Sequence, residues 1–451
     1  MKTHFMTIST SQSPAVASSS AAPSKKAQAS FQLIPLIDTH KAVTSTDPAS
    51  YEADRPYITE YLARFQDRFD ARADYEAVLK FLKSHADTVT TFNNYRTQVE
   101  RLLLWAWSKR GKRFVDFIRS DVEDYLDFCR EPDPAWISTS ITSRYEMRDG
   151  LYEPNPDWRP FTMRTKKATA KVAAENNRDV PAPTFKMADS SLKQVYAVTN
   201  SLFGYCQADR IMDRNPCVHI KRDLRKKQTR ELKIPQQKSL TKLQWTFLLE
   251  TAELMAEESP QSGERTLFCI VMLFGCYLRV SDLVGNGVWK PAMGSFVRDR
   301  DAWWYHVVGK GNVPAKIAVK PDCISYLVRY RKTRGLPDYP APGDDEPLLR
   351  TVHGRAGMKG RQIREDVQAV ADRTVERMKA EGFADYEITE LRSASLHWLR
   401  HTGATFDAPH RNPKHLQADL RHKSLATTQN IYYHALDDER SSDMAKLSIR
   451  R

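Results

Sequence analysis

The sequence predicts a mainly α-helical protein with a small β-sheet, divided into two globular regions. Three observations carry this. Apolar residues recur at three- and four-residue steps over 75–130 and again over 191–208, the mark of helices with one buried face. A Gly-rich turn, Gly309-Lys310-Gly311-Asn312, separates the β-prone runs Trp303–Val308 and Val313–Val319, as in a hairpin. Between the helical first half and the mixed second half lies a basic stretch with little apolar content, residues 221–233, followed by Pro235.

At 451 residues the chain exceeds what one core holds, so two domains are expected. Its 41% apolar and 28% charged residues are those of a soluble globular protein. Lys and Arg outnumber Asp and Glu by 69 to 56, and the net charge of +13 favours a polyanionic partner, nucleic acid first. Six cysteines are dispersed without a C-x-x-C pair. That argues against a zinc site and a disulfide framework, and for a reduced compartment. No apolar run approaches the roughly 18 residues that span a bilayer. The Ser- and Ala-rich first thirty residues lack the apolar core of a secretory signal. A cytoplasmic protein with no membrane partner is expected.

In chain order, residues 1–55 read as a mostly disordered tail with one apolar patch, Phe31–Ile37, and folded sequence is expected from Pro56. Residues 56–225 form the first, helical domain. Phe92, Tyr95, Val99, Leu102 and Ala106 line one helix face, and Gly111 after Lys109-Arg110 is a stop signal. Further helices are predicted over Val115–Cys129 and Ser191–Ala208, and Asn215-Pro216 breaks the pattern. Residues 131–188, rich in Pro, Asn, Asp and Trp, form an insertion, in which Arg159–Lys171 holds five basic and no acidic residues. Such a run is either a solvated face or a loop that touches a phosphate backbone. Residues 226–238 are the linker. Arg222, Arg225, Lys226, Lys227 and Arg230 suit a strap lying across DNA. Residues 239–451 form the second domain, with helices over Thr266–Phe274, Asp322–Arg334, Arg361–Glu381, Ser395–Phe406 and Asn412–Leu420 around the hairpin.

The second domain carries the chemistry. Phosphoryl transfer builds charge on non-bridging oxygens, and two guanidinium forks are the natural clamp. Arg279 and Arg400 supply them if the fold joins positions far apart in sequence. Asp282, at i+3 from Arg279, is placed to orient that guanidinium or to make an ordinary helix ion pair. His397, Arg400 and His401 fall at i, i+3 and i+4, on one face of a helix. Lys310 at the hairpin tip is either simply solvated or a movable general acid. Tyr432 and Tyr433 are adjacent, so at most one faces a phosphate. A phenol needs a base or a positive field before it attacks, and the arginines with His422 offer one.

This set resembles the tyrosine recombinases, the phage-integrase family. Their catalytic domains carry an Arg in G-x-R-x-x-E/D, a Lys in a G-K-G-x hairpin, an H-x-x-R-H-T helix, and L-G-H before T-T-x-x-Y-x-H. Here the matching stretches are Arg279-Val280-Ser281-Asp282, Gly309-Lys310-Gly311-Asn312, His397 to Thr402, Leu420-Arg421-His422 and, for the Y-x-H ending, Tyr432-Tyr433-His434. The resemblance covers about 236–436, and about 74–225 looks like the family's helical, SAM-like core-binding domain. It implies Arg279 and Arg400 as phosphate clamp, Lys310 as general acid, His397 as proton acceptor and His422 as a further phosphate contact. It also implies Tyr432 as nucleophile, because His434 follows at +2, with Tyr433 in reserve; Asp282 and His401 are supporting. No metal or cofactor is implied. The implied partners are duplex DNA with specific sites, gripped in a C-shaped clamp by a homotetramer, with room for an accessory directionality factor, at the nucleoid. Two departures stand out: Arg421 replaces the Gly before His422, and Leu396 stands where Pro often precedes the histidine. Competing readings are a binding-only relative and a type IB topoisomerase-like enzyme.

Overall fold

The computed structural model describes residues 32–163, 185–218, 220, 239–309, 313–392, 394–429 and 431, together with 443, 444, 446 and 447. They fall into two compact units, one before residue 229 and one from there onward. Lys310 and Tyr432 to His434 lie outside the described residues, as do Arg222, Arg225, Lys226, Lys227 and Arg230.

The first unit is a helical bundle. α1 (His40–Ser45), α2 (Pro48–Ala53) and α3 (Pro56–Ala63) lead into the longer α4 (Ala71–Ser84), α5 (Val89–Trp105), α6 (Arg119–Arg130) and α7 (Asp189–Ala208). Asp70 and Thr88 cap α4 and α5, accepting from Ala73 N at 2.9 Å and Thr91 N at 3.2 Å. Phe92, Val99, Leu102 and Ala106 are buried, as the helical period requires, with Tyr95 half-buried. After Trp105 the helix widens into a π turn and stops at Gly111, whose φ of +65° suits glycine. Asn215 Oδ1 accepts from Cys217 N at 2.9 Å, an Asx turn that closes the unit after α7.

The folded chain starts earlier than Pro56. Ile34, Leu36 and Ile37 are buried in the first core. Their backbone is satisfied by a carboxylate: Glu100 Oε1 on α5 accepts from Leu36 N at 2.7 Å and Ile37 N at 3.0 Å. Three such side chains contribute about 1.5–3 kcal/mol each on burial, which helps to hold the segment once its amides are paired. The described part of the 131–188 insertion is also built in. β1 (Ile137–Ser138) pairs in parallel with β4 (Phe161–Thr162), β2 (Tyr145–Arg148) forms a hairpin with β3 (Leu151–Pro154), and Trp136, Trp158 and Phe161 join the same core. Arg159 donates to the carbonyls of Pro156 and Trp158, so this first residue of the basic run is used locally.

The second unit packs helices around a three-stranded antiparallel sheet. α8 (Lys242–Glu258) opens with a capping box in which Thr241 and Gln244 bond each other's amides at 3.1 and 2.9 Å. α9 (Pro260–Gly275) is the central helix, packed against α8, α11 (Pro321–Lys332) and α14 (Leu396–Asp407). It begins six residues before the predicted start, because Glu264 and Arg265 are buried through partners on other elements, Arg329 at 2.6 Å and Asp366 at 3.0 Å. α10 (Val280–Val284) precedes β5 (Phe296–Asp299), β6 (Ala302–Val308) and β7 (Pro314–Val319), in sheet order β5-β6-β7. The β6–β7 register runs from Trp303 opposite Val319 to Val308 opposite Pro314, as the hairpin pattern predicts. α12 (Gly360–Ala380), α13 (Asp385–Arg392) and α15 (Pro413–Leu420) complete the unit. Among the described residues no helix is long and apolar enough to cross a membrane. All six cysteines are buried and free.

Candidate phosphoryl-transfer site

Three chain segments meet in the second unit. The first follows α9, where Tyr277 adopts φ +52°. A left-handed tyrosine is strained by roughly 1–2 kcal/mol, and burial of its ring holds it there. Its carbonyl accepts from Arg400 Nη1. Its phenol donates to Asp407 and receives Arg411 Nη1 at 3.4 Å, while burial and then Asp407 hold its proton well above the ordinary range. Arg411 continues to Asp419 at 2.6 Å, and Asp419 accepts from Ala318 N of β7 at 3.1 Å. One chain of bonds thus ties α14, α15 and the sheet around the Tyr277 turn.

The second segment is α14. Arg400 is 2% exposed and donates through Nη2 to the Leu420 carbonyl, which also accepts from Arg279 Nη2 at 3.3 Å. Two arginines 121 positions apart in sequence, 279 and 400, therefore converge on one oxygen at the end of α15. Close packing makes this possible: a Cβ on Gly403 would lie 2.0 Å from the Phe274 carbonyl, so only glycine lets α14 cross α9 at this separation. His397 and His401 bond through Nε2 at 3.0 Å with their rings edge-on. One ring donates and the other accepts, according to tautomer.

The third segment follows α15. Arg421 is left-handed, φ +52°, at the helix C-cap, a position that favours glycine. Its guanidinium grips Asp282 with both Nη atoms, Nη1 to Oδ1 at 3.1 Å. Asp282 in turn accepts from Arg279 N at 2.7 Å, capping α10. The expectation that Asp282 orients the Arg279 guanidinium is corrected: it holds that residue's backbone, and its side-chain partner is Arg421. Three guanidiniums thus face one carboxylate, a surplus of two positive charges. Burial, then Arg279 and Arg421, lower Arg400 to about 9, with Asp282 opposing. Burial and Arg421 lower Arg279 as well. A buried and a half-buried guanidinium left unbalanced in this way suit an anion.

His422 lies beside them. Its Nδ1 bonds the buried Thr428 hydroxyl at 3.0 Å, and its backbone is fastened to Gln417 by bonds of 3.2 and 3.0 Å. Burial first, then Arg400, Arg279 and His397, push its imidazole down to about 4, so it is neutral at physiological pH. Thr428 sits on a helical turn over 425–429, and Ile431 is buried in a small cluster with Tyr277, Ala404, Ala408, Leu416 and Leu420. The hairpin end reaches the same place: Gly309 N donates to Val313 O at 2.8 Å, and a Cβ on Gly309 would lie 3.8 Å from Arg421 Nη1. Tyr277, Thr428 and the Arg421–Asp282 pair escaped sequence reading. The signal for the last was visible as a departure, an arginine where glycine is usual.

No family model matches the chain, and no curated protein matches it. Solved structures do. The XerH site-specific recombinase bound to palindromic difH substrate superposes with a TM-score of 0.51 at 14% identity, over 92% of this chain and 99% of that one. The Tn1549 transposon integrase with circular intermediate DNA gives 0.47 at 16%, over 82% and 98%. A lambda integrase dimer on a COC' core site gives 0.44 at 13%, over 85% and 90%. The XerH superposition shows that the chain has the mainly helical tyrosine recombinase fold.

Proposed function

We propose that this chain, with its tyrosine recombinase fold, is a site-specific DNA recombinase that integrates, excises or transposes a mobile element. One observation carries the reading: the buried Arg400 and the half-buried Arg279, their charges left over once Arg421 pairs with Asp282, converge beside a neutral histidine. A phosphodiester is the anion this arrangement suits. Arg279 and Arg400 bind its non-bridging oxygens. With Thr428 donating to Nδ1, His422 carries its proton on Nε2 and donates it as a further hydrogen bond. The Tyr432 oxygen attacks phosphorus while His397 accepts its proton. The bond to the 5′ oxygen breaks, and Lys310 protonates that leaving oxygen. The product is a 3′-phosphotyrosyl link, and attack by a 5′-hydroxyl of another strand reverses the step. The phosphoester bond is conserved throughout, so the exchange draws on no nucleotide cofactor. The reading carries with it duplex DNA with specific sites, a homotetramer, and a backbone contact by the basic residues of 221–233.

The test uses nicked duplexes with randomised sequence around the nick, selecting DNA that stays attached to protein through detergent and phenol extraction. Wild type and Tyr433→Phe are expected to form adducts on the selected sites, and Tyr432→Phe to form none. Adducts lost only in Tyr433→Phe move the nucleophile by one residue. No adduct from any form sinks the enzyme reading and leaves a binding protein.

A further inference from the structure

The Arg421–Asp282 pair has no place in the chemistry above, and its geometry is unusual in two ways. A left-handed C-cap is occupied by a long charged residue instead of glycine, at a backbone cost of roughly 1 kcal/mol. The side chain then folds back so that its fork is only 11% exposed and meets a carboxylate 3% exposed. We infer that Arg421 is a positioning residue that neutralises Asp282, keeping the Arg279 and Arg400 guanidiniums free for a phosphate. The inference rests on the recombinase reading for the phosphate's identity, and on geometry for the rest.

Asp282 must be where it is, because its carboxylate caps α10 at Arg279 N. An ionised carboxylate under a phosphate site has two adverse effects. It repels the incoming anion, and it offers Arg279 a competing partner one turn away. Both oxygens are instead occupied by Arg421, which approaches from the opposite segment. Arg279 and Arg400 accordingly direct Nη2 to the Leu420 carbonyl, a neutral acceptor that a phosphate oxygen can displace or share. The other charged and titratable groups around Asp282 are consistent with this. Tyr305 donates to the Asp282 backbone carbonyl at 2.6 Å, which leaves the carboxylate to Arg421. His422 is neutral.

Glycine at 421 separates this role from a merely structural one. Arg421→Gly suits the backbone, so a structural reading expects a protein at least as stable and as active. We expect instead that it still folds, with a lower melting temperature because Asp282 loses its partner, and that it binds inorganic phosphate at least tenfold more weakly, read as the phosphate-induced rise in melting temperature of the full chain. On a selected nicked duplex its single-turnover adduct formation falls by roughly a hundredfold, the scale of misplacing a clamp group by about 1 Å. Arg421→Gly combined with Asp282→Asn recovers most of both losses without any arginine at 421, because the amide still caps Arg279 N and carries no charge. Equal phosphate stabilisation of wild type and Arg421→Gly, or no recovery in the double variant, overturns the inference. The two readings fail separately. If wild type forms no adduct while the phosphate series behaves as expected, the recombinase reading falls and the anion-site role of Arg421 stands.

Discussion

Replacing Gly403 with alanine adds one methyl group where α14 crosses α9, and the added carbon would lie 2.0 Å from the Phe274 carbonyl oxygen and 2.9 Å from its carbon. Ordinary contact for such a pair begins near 3.4 Å, so the helices must separate locally by about 1.4 Å, the difference between 3.4 and 2.0. The obstacle is backbone, which cannot rotate away. Overpacking of this kind costs about 1–3 kcal/mol of stability. The catalytic effect is expected to be larger. Gly403 lies one turn beyond Arg400, whose guanidinium is fixed between the Tyr277 and Leu420 carbonyls. A shift of this size moves it against Arg279, and misplacement by about 1 Å costs on the order of a hundredfold in rate. Urea denaturation and single-turnover adduct formation on a nicked duplex measure the two effects. Gly403→Ala with wild-type stability and wild-type rate would refute the claim that this crossing sets the arginine spacing.

Two further outcomes follow from the surroundings of His422. Its folded-state value of about 4 lies below the usual histidine range, so the unfolded chain takes up the proton first as pH falls. Stability is therefore lost as pH drops from about 6.5 toward 4; urea midpoints at pH 7 and 5 should fall further for wild type than for His422→Gln, and equal falls would contradict the assignment. Thr428→Val removes the hydroxyl from His422 Nδ1 at nearly constant volume; about 1 kcal/mol of stability and roughly tenfold in adduct rate should go with it, and an unchanged rate would show that this bond does not set the tautomer.

Local patterns were legible in the sequence, and long-range partners were not. The spacing of His397, Arg400 and His401 can be read directly because a helix repeats within four residues. The β6–β7 hairpin was equally readable, since its turn and both strands are contiguous. The start of the fold was misplaced because Ile34 to Ile37 look like an isolated apolar patch, and the carboxylate that satisfies their amides sits on Glu100, more than sixty residues away. The beginning of α9 was missed for the same reason: Glu264 and Arg265 read as surface charges until Arg329 and Asp366 are brought to them. Both sequence readings of Asp282, orienting the Arg279 guanidinium or making a local helix ion pair, looked to near neighbours, whereas the fold delivers Arg421 from 139 positions away. In each case the spacing within one element is a property of the backbone, and the choice of partner is a property of the whole chain.

The Leu420 carbonyl, shared by Arg279 and Arg400 before any substrate arrives, has a thermodynamic consequence. Flexible arginines lose up to about 2 kcal/mol of rotamer freedom each when they are immobilised. Here that ordering accompanies folding and is absent from the binding step. A guanidinium has five donors, and the bonds to backbone leave further N–H groups on each side chain for an anion. Phosphate engagement at this clamp should therefore show a small entropic penalty and little dependence on temperature. On the proposed recombinase reading, a slow, strongly temperature-dependent phase of strand cleavage would then have its origin away from this clamp.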